Sequence, residues 1–243
     1  MHVHLPKPLH GWRAFVGEVG IIVIGVLIAL GFEQVVESMR WHERAAAARE
    51  RLRAEIGHEY LIAEERLMVE GCLDEQLNRI EKVLLSSNGT LAALPLERED
   101  DFTYVYRWPS RSWADSAWQS VITEGVSSYL NDKERELLPI HYNQIQRIRD
   151  DNADEDKAAG DLLALARPLP LDPMVRSTFV RTIEAERLRN ELMAEMAKQI
   201  NERIEQLGYR PTAAKRKEWI AHSGTIKFCR AHQLPLGKIE LQG

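Results

Sequence analysis

This chain of 243 residues has few cysteines and little net charge, and each shortage excludes a class of protein. It contains only two cysteines, Cys72 and Cys229, which excludes a disulfide-dense scaffold and a self-contained zinc ribbon. Its formal net charge is −5, so the chain lacks the basic field that nucleic-acid binding requires. With 44% hydrophobic and 28% charged residues, its composition is globular rather than disordered. We therefore expect a folded domain that does not bind nucleic acid.

The short motifs of common catalytic and cofactor sites are also missing. There is no G-x-S-x-G, no G-x-x-x-x-G-K, and no G-x-G-x-x-G after a strand. Neither H-E-x-x-H nor C-x-x-C accompanies the eight scattered histidines, so no dedicated metal site is expected. The sequence predicts a protein that is not an enzyme, with no catalytic residues, metal or cofactor.

The strongest positive feature is an apolar run near the N-terminus. Val19–Phe32 carries no charge, and extension back to Ala14 gives nineteen residues. As a helix this stretch is about 28 Å long, close to the hydrocarbon thickness of a bilayer. Trp12 lies at its edge, where aromatic rings favour the membrane interface. We predict a transmembrane anchor over 14–36 and a lipid bilayer as partner.

A cleaved signal peptide is the competing interpretation of the same run. Lys7 and Arg13 form a weak positive region, and Ala29-Leu30-Gly31 is an acceptable cleavage site. However, no turn or helix breaker follows Phe32, and the next twenty residues favour a helix. An uncleaved anchor that continues into water is therefore favoured.

The segment Gly17–Leu30 resembles the anchor of a family of uncharacterised bacterial single-pass membrane proteins. Their signature is G-E-(I/V)-x-x-V-x-I-G-(I/V)-L-I-A-L, and here its valine falls one place late, at Val23. The resemblance implies an inner-membrane protein with a helical domain outside the cytoplasm, but no activity, substrate or catalytic residue. Five arginines beyond the anchor favour the opposite orientation by the positive-inside rule. We expect a periplasmic domain, with a cytoplasmic one left open. Those arginines are Arg40, Arg44, Arg49, Arg51 and Arg53.

One side of the anchor has the composition of a helix association face. Glu18, Gly25, Ala29 and Phe32 recur on the same helix side, and Gly25 with Ala29 forms a small-xxx-small pair. A buried polar contact through Glu18 would add to such an interface. The alternative is that Glu18 only contacts lipid headgroups. A single span cannot build an ion pathway alone, so that third interpretation is disfavoured.

Apolar spacing downstream predicts an all-α fold. The anchor is expected to continue into one long helix ending at Ser86, which packs in an antiparallel helical bundle. Further helices are expected at 113–130 and at 173–207. Between them, Asn131 or Asp132 is expected to cap another helix, which Pro139 kinks or restarts and which breaks at Gly160. The expected divisions are a polar segment 1–13, the anchor 14–36, a bundle 37–208 with an irregular segment 88–112, and a tail 209–243.

A cluster of aromatic residues in the irregular segment and at the start of the next predicted helix allows two interpretations. Packing into the core is favoured, and a ligand pocket is the alternative. The aromatic residues are Tyr104, Tyr106, Trp108, Trp113 and Trp118.

The two cysteines also allow two interpretations. Cys72 and Cys229 either form a disulfide, if the domain is exported, or remain two free structural cysteines, which is favoured.

Together these features predict a membrane-anchored interaction or scaffold module. Its expected partner is a second copy of itself or another membrane protein. The alternative function is a membrane-tethered sensor or small-ligand-binding domain that uses the aromatic segment.

Overall fold

Almost all secondary structure in this protein is helical, as the sequence predicts. The computed structural model describes residues 11–99 and 102–238. Within them the α-helices are α1 (Trp12–Ser86), α2 (Ser116–Thr123), α3 (Asp132–Leu162), α4 (Pro173–Leu207), α5 (Ala213–His222) and α6 (Gly224–Ala231). Short 3-10 helices cover Val126–Tyr129 and Leu163–Ala166. Four strands of two or three residues form two antiparallel pairs, β1 (Thr90–Leu91) with β4 (Leu169–Pro170) and β2 (Glu97–Glu99) with β3 (Phe102–Tyr104).

Helix α1 is 75 residues long and has two very different surroundings. None of the described side chains from residue 11 to residue 40 is buried. From Ala45 onward the helix enters the core, where Ala48, Leu52 and Ile56 are fully buried. The exposed apolar segment and the helix at the centre of the folded domain are therefore two parts of α1.

Other elements surround the middle of α1 completely. Eight consecutive residues, Glu59 to Arg66, are all buried. A helix that packs on one side only would bury every third or fourth residue. Contacts from α3, α4, α5 and the segment before α2 account for this burial.

Helix direction departs in one respect from the antiparallel bundle that the sequence predicts. Helix α4 runs antiparallel to α1, since Arg187 meets Glu81 and Glu205 meets Tyr60. Helix α3 instead runs parallel to α1, because the irregular segment 87–131 has already returned along α1. This segment meets α1 at Gln76 through Arg107 and at Glu65 through Arg111.

Turn and capping residues set most helix ends. Asn131 and Glu134 form a capping box at the start of α3, and Asp172 caps α4 through the backbone N–H of Val175 at 2.8 Å. Gly208 ends α4 with φ of 75°, as predicted. Gly125, with φ of 70°, ends α2 earlier than the predicted boundary of 130. Helix α3 continues through Gly160, where the sequence predicted a break, and it does not restart at Pro139.

Residues 209–238 belong to the folded domain, although the sequence suggested a separate tail. Arg216 of α5 is 2% exposed and pairs with Glu64 of α1. Cys229 of α6 forms a disulfide with Cys72, so the expectation of two free cysteines is wrong. Beyond α6 the chain lies directly on α1, where the backbone N–H of Gly237 donates to the Met68 carbonyl at 2.7 Å. A Cβ at residue 237 would approach the Leu67 carbonyl oxygen to 2.9 Å, so this contact requires glycine.

Candidate functional site

The predicted association face lies on the unburied end of α1. Glu18, Gly25, Ala29 and Phe32 are all exposed, and Phe32 has 69% of its surface exposed. At about 100° per residue these four positions fall within about 60° of one another around the helix. A Cβ placed on Gly25 would have no neighbour within 4 Å in the described structure. The face is therefore open to a partner outside the chain.

The five aromatic residues of the irregular segment separate into two groups. Tyr106 and Trp113 are buried in the core, and Trp118 stacks on Tyr142 of α3 with ring centroids 5.3 Å apart. Trp108, which is half-buried, and the edge of Tyr104, which is only 7% exposed, line a surface cleft. The structure thus does not bring Trp108, Trp113 and Trp118 to one pocket, and most of the cluster fills the core.

The cleft lies between the segment after β3 and the end of α5 with the start of α6. Its volume is about 800 Å³, within the usual range for small-molecule sites. Three cationic side chains line it together with one carboxylate, two aromatic rings and small polar groups. The lining residues are Thr103, Tyr104, Arg107, Trp108, Ser110, Arg111, Asp156, His222, Gly224 and Lys227.

Buried partners fix the walls of the cleft. Arg111 donates two hydrogen bonds to the carboxylate of Glu65, at 2.8 and 2.7 Å, and Glu65 is fully buried on α1. Ser223, which caps α6, donates to the same carboxylate at 2.5 Å. One α1 glutamate therefore holds residues from both sides of the cleft.

The aromatic wall is held in a similar way. The indole N–H of Trp108 donates to Asp156 of α3 at 2.6 Å, and its ring stacks on Tyr106 with centroids 6.3 Å apart. The side-chain amide of Gln76 on α1 accepts a hydrogen bond from the backbone N–H of Arg107 at 2.8 Å and donates one to its carbonyl oxygen at 3.0 Å. The cleft is therefore formed before any ligand arrives.

Beside the cleft, a layer of buried charge crosses the bundle between two apolar clusters. We call Glu64, Glu65 and Arg66 of α1, with their partners, the charged belt. Arg66 donates to both oxygens of Glu155 on α3, at 2.7 and 2.8 Å, and to Asn190 on α4 at 3.1 Å. Both charged side chains of this pair are at most 2% exposed. Sequence reasoning missed the belt, because three consecutive charged residues usually indicate a solvated surface.

A second buried polar pair lies nearer the anchor. His141 Nε2 of α3 lies 2.7 Å from Glu59 Oε2 of α1, and both side chains are almost completely buried. Burial raises the pKa of Glu59 well above its ordinary value of 4.5, and the nearby Glu55 raises it further. Burial, aided by Arg203, lowers the pKa of His141 to about 3. The pair is therefore neutral: the carboxyl of Glu59 keeps its proton and donates a hydrogen bond to the unprotonated Nε2 of His141.

Neither a metal site nor a similar protein identifies a function. Among residues 11–99 and 102–238 no group of three or more His, Cys, Asp or Glu side chains is arranged to hold a metal ion. Comparison with known proteins finds no matching family model, no matching curated protein and no matching solved structure. The functional conclusion must come from the geometry of this chain.

We predict that Glu59→Gln makes the free energy of unfolding depend on pH in a range where the Glu59–His141 pair of the parent protein contributes no such dependence. Between pH 4.5 and 6.5, the ordinary pKa values of the two groups, the neutral pair holds one proton and so does the unfolded chain. Alone, the raised pKa of Glu59 gives stability that is lost as pH rises, whereas the lowered pKa of His141 gives stability that is lost as pH falls. The substituted amide cannot ionise, so only the second effect remains, and stability falls as pH drops below 6.5.

The measurement is urea unfolding of the detergent-solubilised chain at pH 6 and pH 5. Relative to the parent, Glu59→Gln is expected to lose about 1 kcal/mol more between these two values. Glu50→Gln, at an exposed position of the same helix, serves as the control and is expected to follow the parent. If all three proteins respond equally to pH, the neutral pair is wrong.

Proposed function

We propose that this protein is a single-pass inner-membrane module with an exported helical domain, which associates with a second copy through its anchor. The observation that carries the proposal is the continuity of α1. An apolar segment without a single buried side chain among its described residues runs without interruption into the core of the domain. The resemblance of the anchor to bacterial membrane proteins supports the same conclusion.

Exposure of the apolar segment favours a membrane over a water-exposed position. Leu, Ile, Val and Phe side chains from residue 15 to residue 36 are between 42% and 73% exposed. A soluble chain would leave this contiguous apolar surface in water, which single domains rarely do. Burial in a bilayer removes it from water, with every backbone polar group bonded inside the helix.

The Cys72–Cys229 disulfide supports export of the domain. Disulfides persist in oxidising compartments such as the bacterial periplasm, whereas the reducing cytoplasm keeps most thiols free. This observation favours the periplasmic orientation over the cytoplasmic one that the arginine count suggests. The arginines have another role in the fold, since Arg49 pairs with Glu134 and Arg51 with Glu124.

Thiol trapping in intact bacterial cells tests the orientation. Acid quenching followed by alkylation with a polyethylene-glycol maleimide is expected to add no mass before reduction and two adducts after it. Cys72→Ser is the control, because its single remaining thiol, Cys229, is expected to react without reduction. Two adducts on the unreduced parent would place the domain in the cytoplasm.

Association through the anchor follows from the open face of α1. Gly25 carries no side chain, so a second helix can approach closely and gain van der Waals contact there. Glu18, when protonated, can donate a hydrogen bond across such an interface, worth about 0.6–2 kcal/mol in membranes. A second copy fits this geometry, because identical faces meet around a two-fold axis.

A transmembrane association reporter carrying residues 12–36 tests this face. Gly25→Leu is expected to abolish most of the association signal, because its side chain would hold the backbones apart. The matched control is Ile24→Leu, which lies about 100° around the helix and is expected to keep the parental signal. If both variants and the parent give equal signals, the anchor is a simple tether.

A further inference from the structure

We propose that the cleft between Arg107 and Lys227 binds a small organic anion that carries a ring, with a carboxylate or phosphate group held by the cations and the ring against Trp108. This site is independent of the anchor association proposed above. It narrows the ligand-binding alternative to two of the five aromatic residues, Tyr104 and Trp108.

Charge distribution in the cleft indicates an anionic ligand. Besides Arg111, which is paired with the buried Glu65, the lining contains two cationic side chains and one carboxylate, although the chain as a whole has a net charge of −5. Lys227 is exposed on α6, and Arg107 lies on the opposite side, in the segment after β3. An anion between them therefore gains contact with cations from two separate elements. The carboxylate, Asp156, is already a partner of the Trp108 indole.

The start of α6 strengthens the same preference. Gly224, the first residue of α6, lines the cleft, and the partial positive charge of a helix N-terminus favours an anion nearby. This contribution is secondary, because α6 has only 8 residues. The two cationic side chains carry the electrostatic part of the proposal.

The aromatic wall of the cleft indicates which chemical group the ligand carries besides its charged group. Trp108 and Tyr104 line the cleft beside the cations, and the guanidinium of Arg107 lies 5.2 Å from the centroid of the Tyr104 ring. Tyr104 is only 7% exposed, so the half-buried Trp108 supplies most of the aromatic surface, which a bare inorganic anion would leave uncovered. A ring-shaped body on the ligand covers it and gains contact area against rigid side chains.

Contacts with α1 hold the walls of this cleft in place. Glu65 holds Arg111 and Ser223, while Gln76 holds the backbone of Arg107. The Cys72–Cys229 disulfide ties α6, and with it Lys227, to α1. Because Arg111, Ser223 and the backbone at Arg107 and along α6 are fixed in advance, binding does not have to order these parts of the cleft.

Calorimetric titration of the full chain in phosphatidylcholine nanodiscs tests the proposal, with empty nanodiscs as the blank. The probes are benzoate, benzamide, phenyl phosphate and inorganic phosphate. Benzoate is expected to bind more tightly than its neutral isostere benzamide, and phenyl phosphate more tightly than inorganic phosphate. The first comparison isolates the charge and the second isolates the ring.

Two matched variants locate the binding. Lys227→Gln is expected to weaken benzoate and phenyl phosphate binding by about tenfold, the effect of one lost charge-assisted contact. Lys217→Gln removes an equally exposed lysine of α5 that does not line the cleft, and it is expected to bind like the parent. Circular dichroism of both variants verifies that the fold is unchanged.

Several results would overturn the proposal. Equal binding of benzoate and benzamide would exclude recognition of charge, and equal binding of the two phosphates would exclude the aromatic wall. Equal effects of Lys227→Gln and Lys217→Gln would place any binding outside the cleft. A complete absence of heat for all four probes at millimolar concentration would leave the cleft without this ligand class.

Discussion

Burial of charge at the middle of α1 is the constraint on which the remaining structure depends. Glu64, Glu65 and Arg66 are consecutive, so they point in three directions around the helix, and each must find a partner in a different element. Those partners come from α5, the segment before α2, and α3 with α4. A buried charge without its partner is strongly destabilising, so the chain must place all of these elements correctly at once.

The same helix joins the belt to the membrane and to the cleft. Glu65 binds Arg111 and Ser223 at the cleft, and Gln76 lies three turns further along α1. In the other direction, α1 continues without a break into its exposed apolar end. Helix α1 therefore carries the proposed association face at one end and, further along, the residues that hold the proposed ligand site.

Local signals in the sequence predicted the end of α1 and both ends of α4, but not the full length of α3, which continues through Gly160. The ends of α4 could be predicted because the Asp172 cap and Gly208 act through neighbouring residues. Helices α5 and α6 were missed, since helices of 10 and 8 residues are marginal alone and depend on tertiary contacts such as the Arg216–Glu64 pair. The cleft was only partly foreseen: Trp108 was named, but Arg107 and Lys227 are far apart in sequence and only the fold brings them together.

Urea unfolding of Arg66→Met in detergent, compared with Arg51→Met, tests most directly whether the charged belt holds the domain together. Arg66→Met leaves Glu155 buried without a counter-charge and is expected to cost about 3–5 kcal/mol of unfolding free energy. Arg51 pairs with Glu124 in an exposed position, so its replacement is expected to cost at most about 1 kcal/mol. Pairing Arg66→Met with Glu155→Met is expected to recover most of the loss. Equal costs for the two single variants would contradict the central role of the belt.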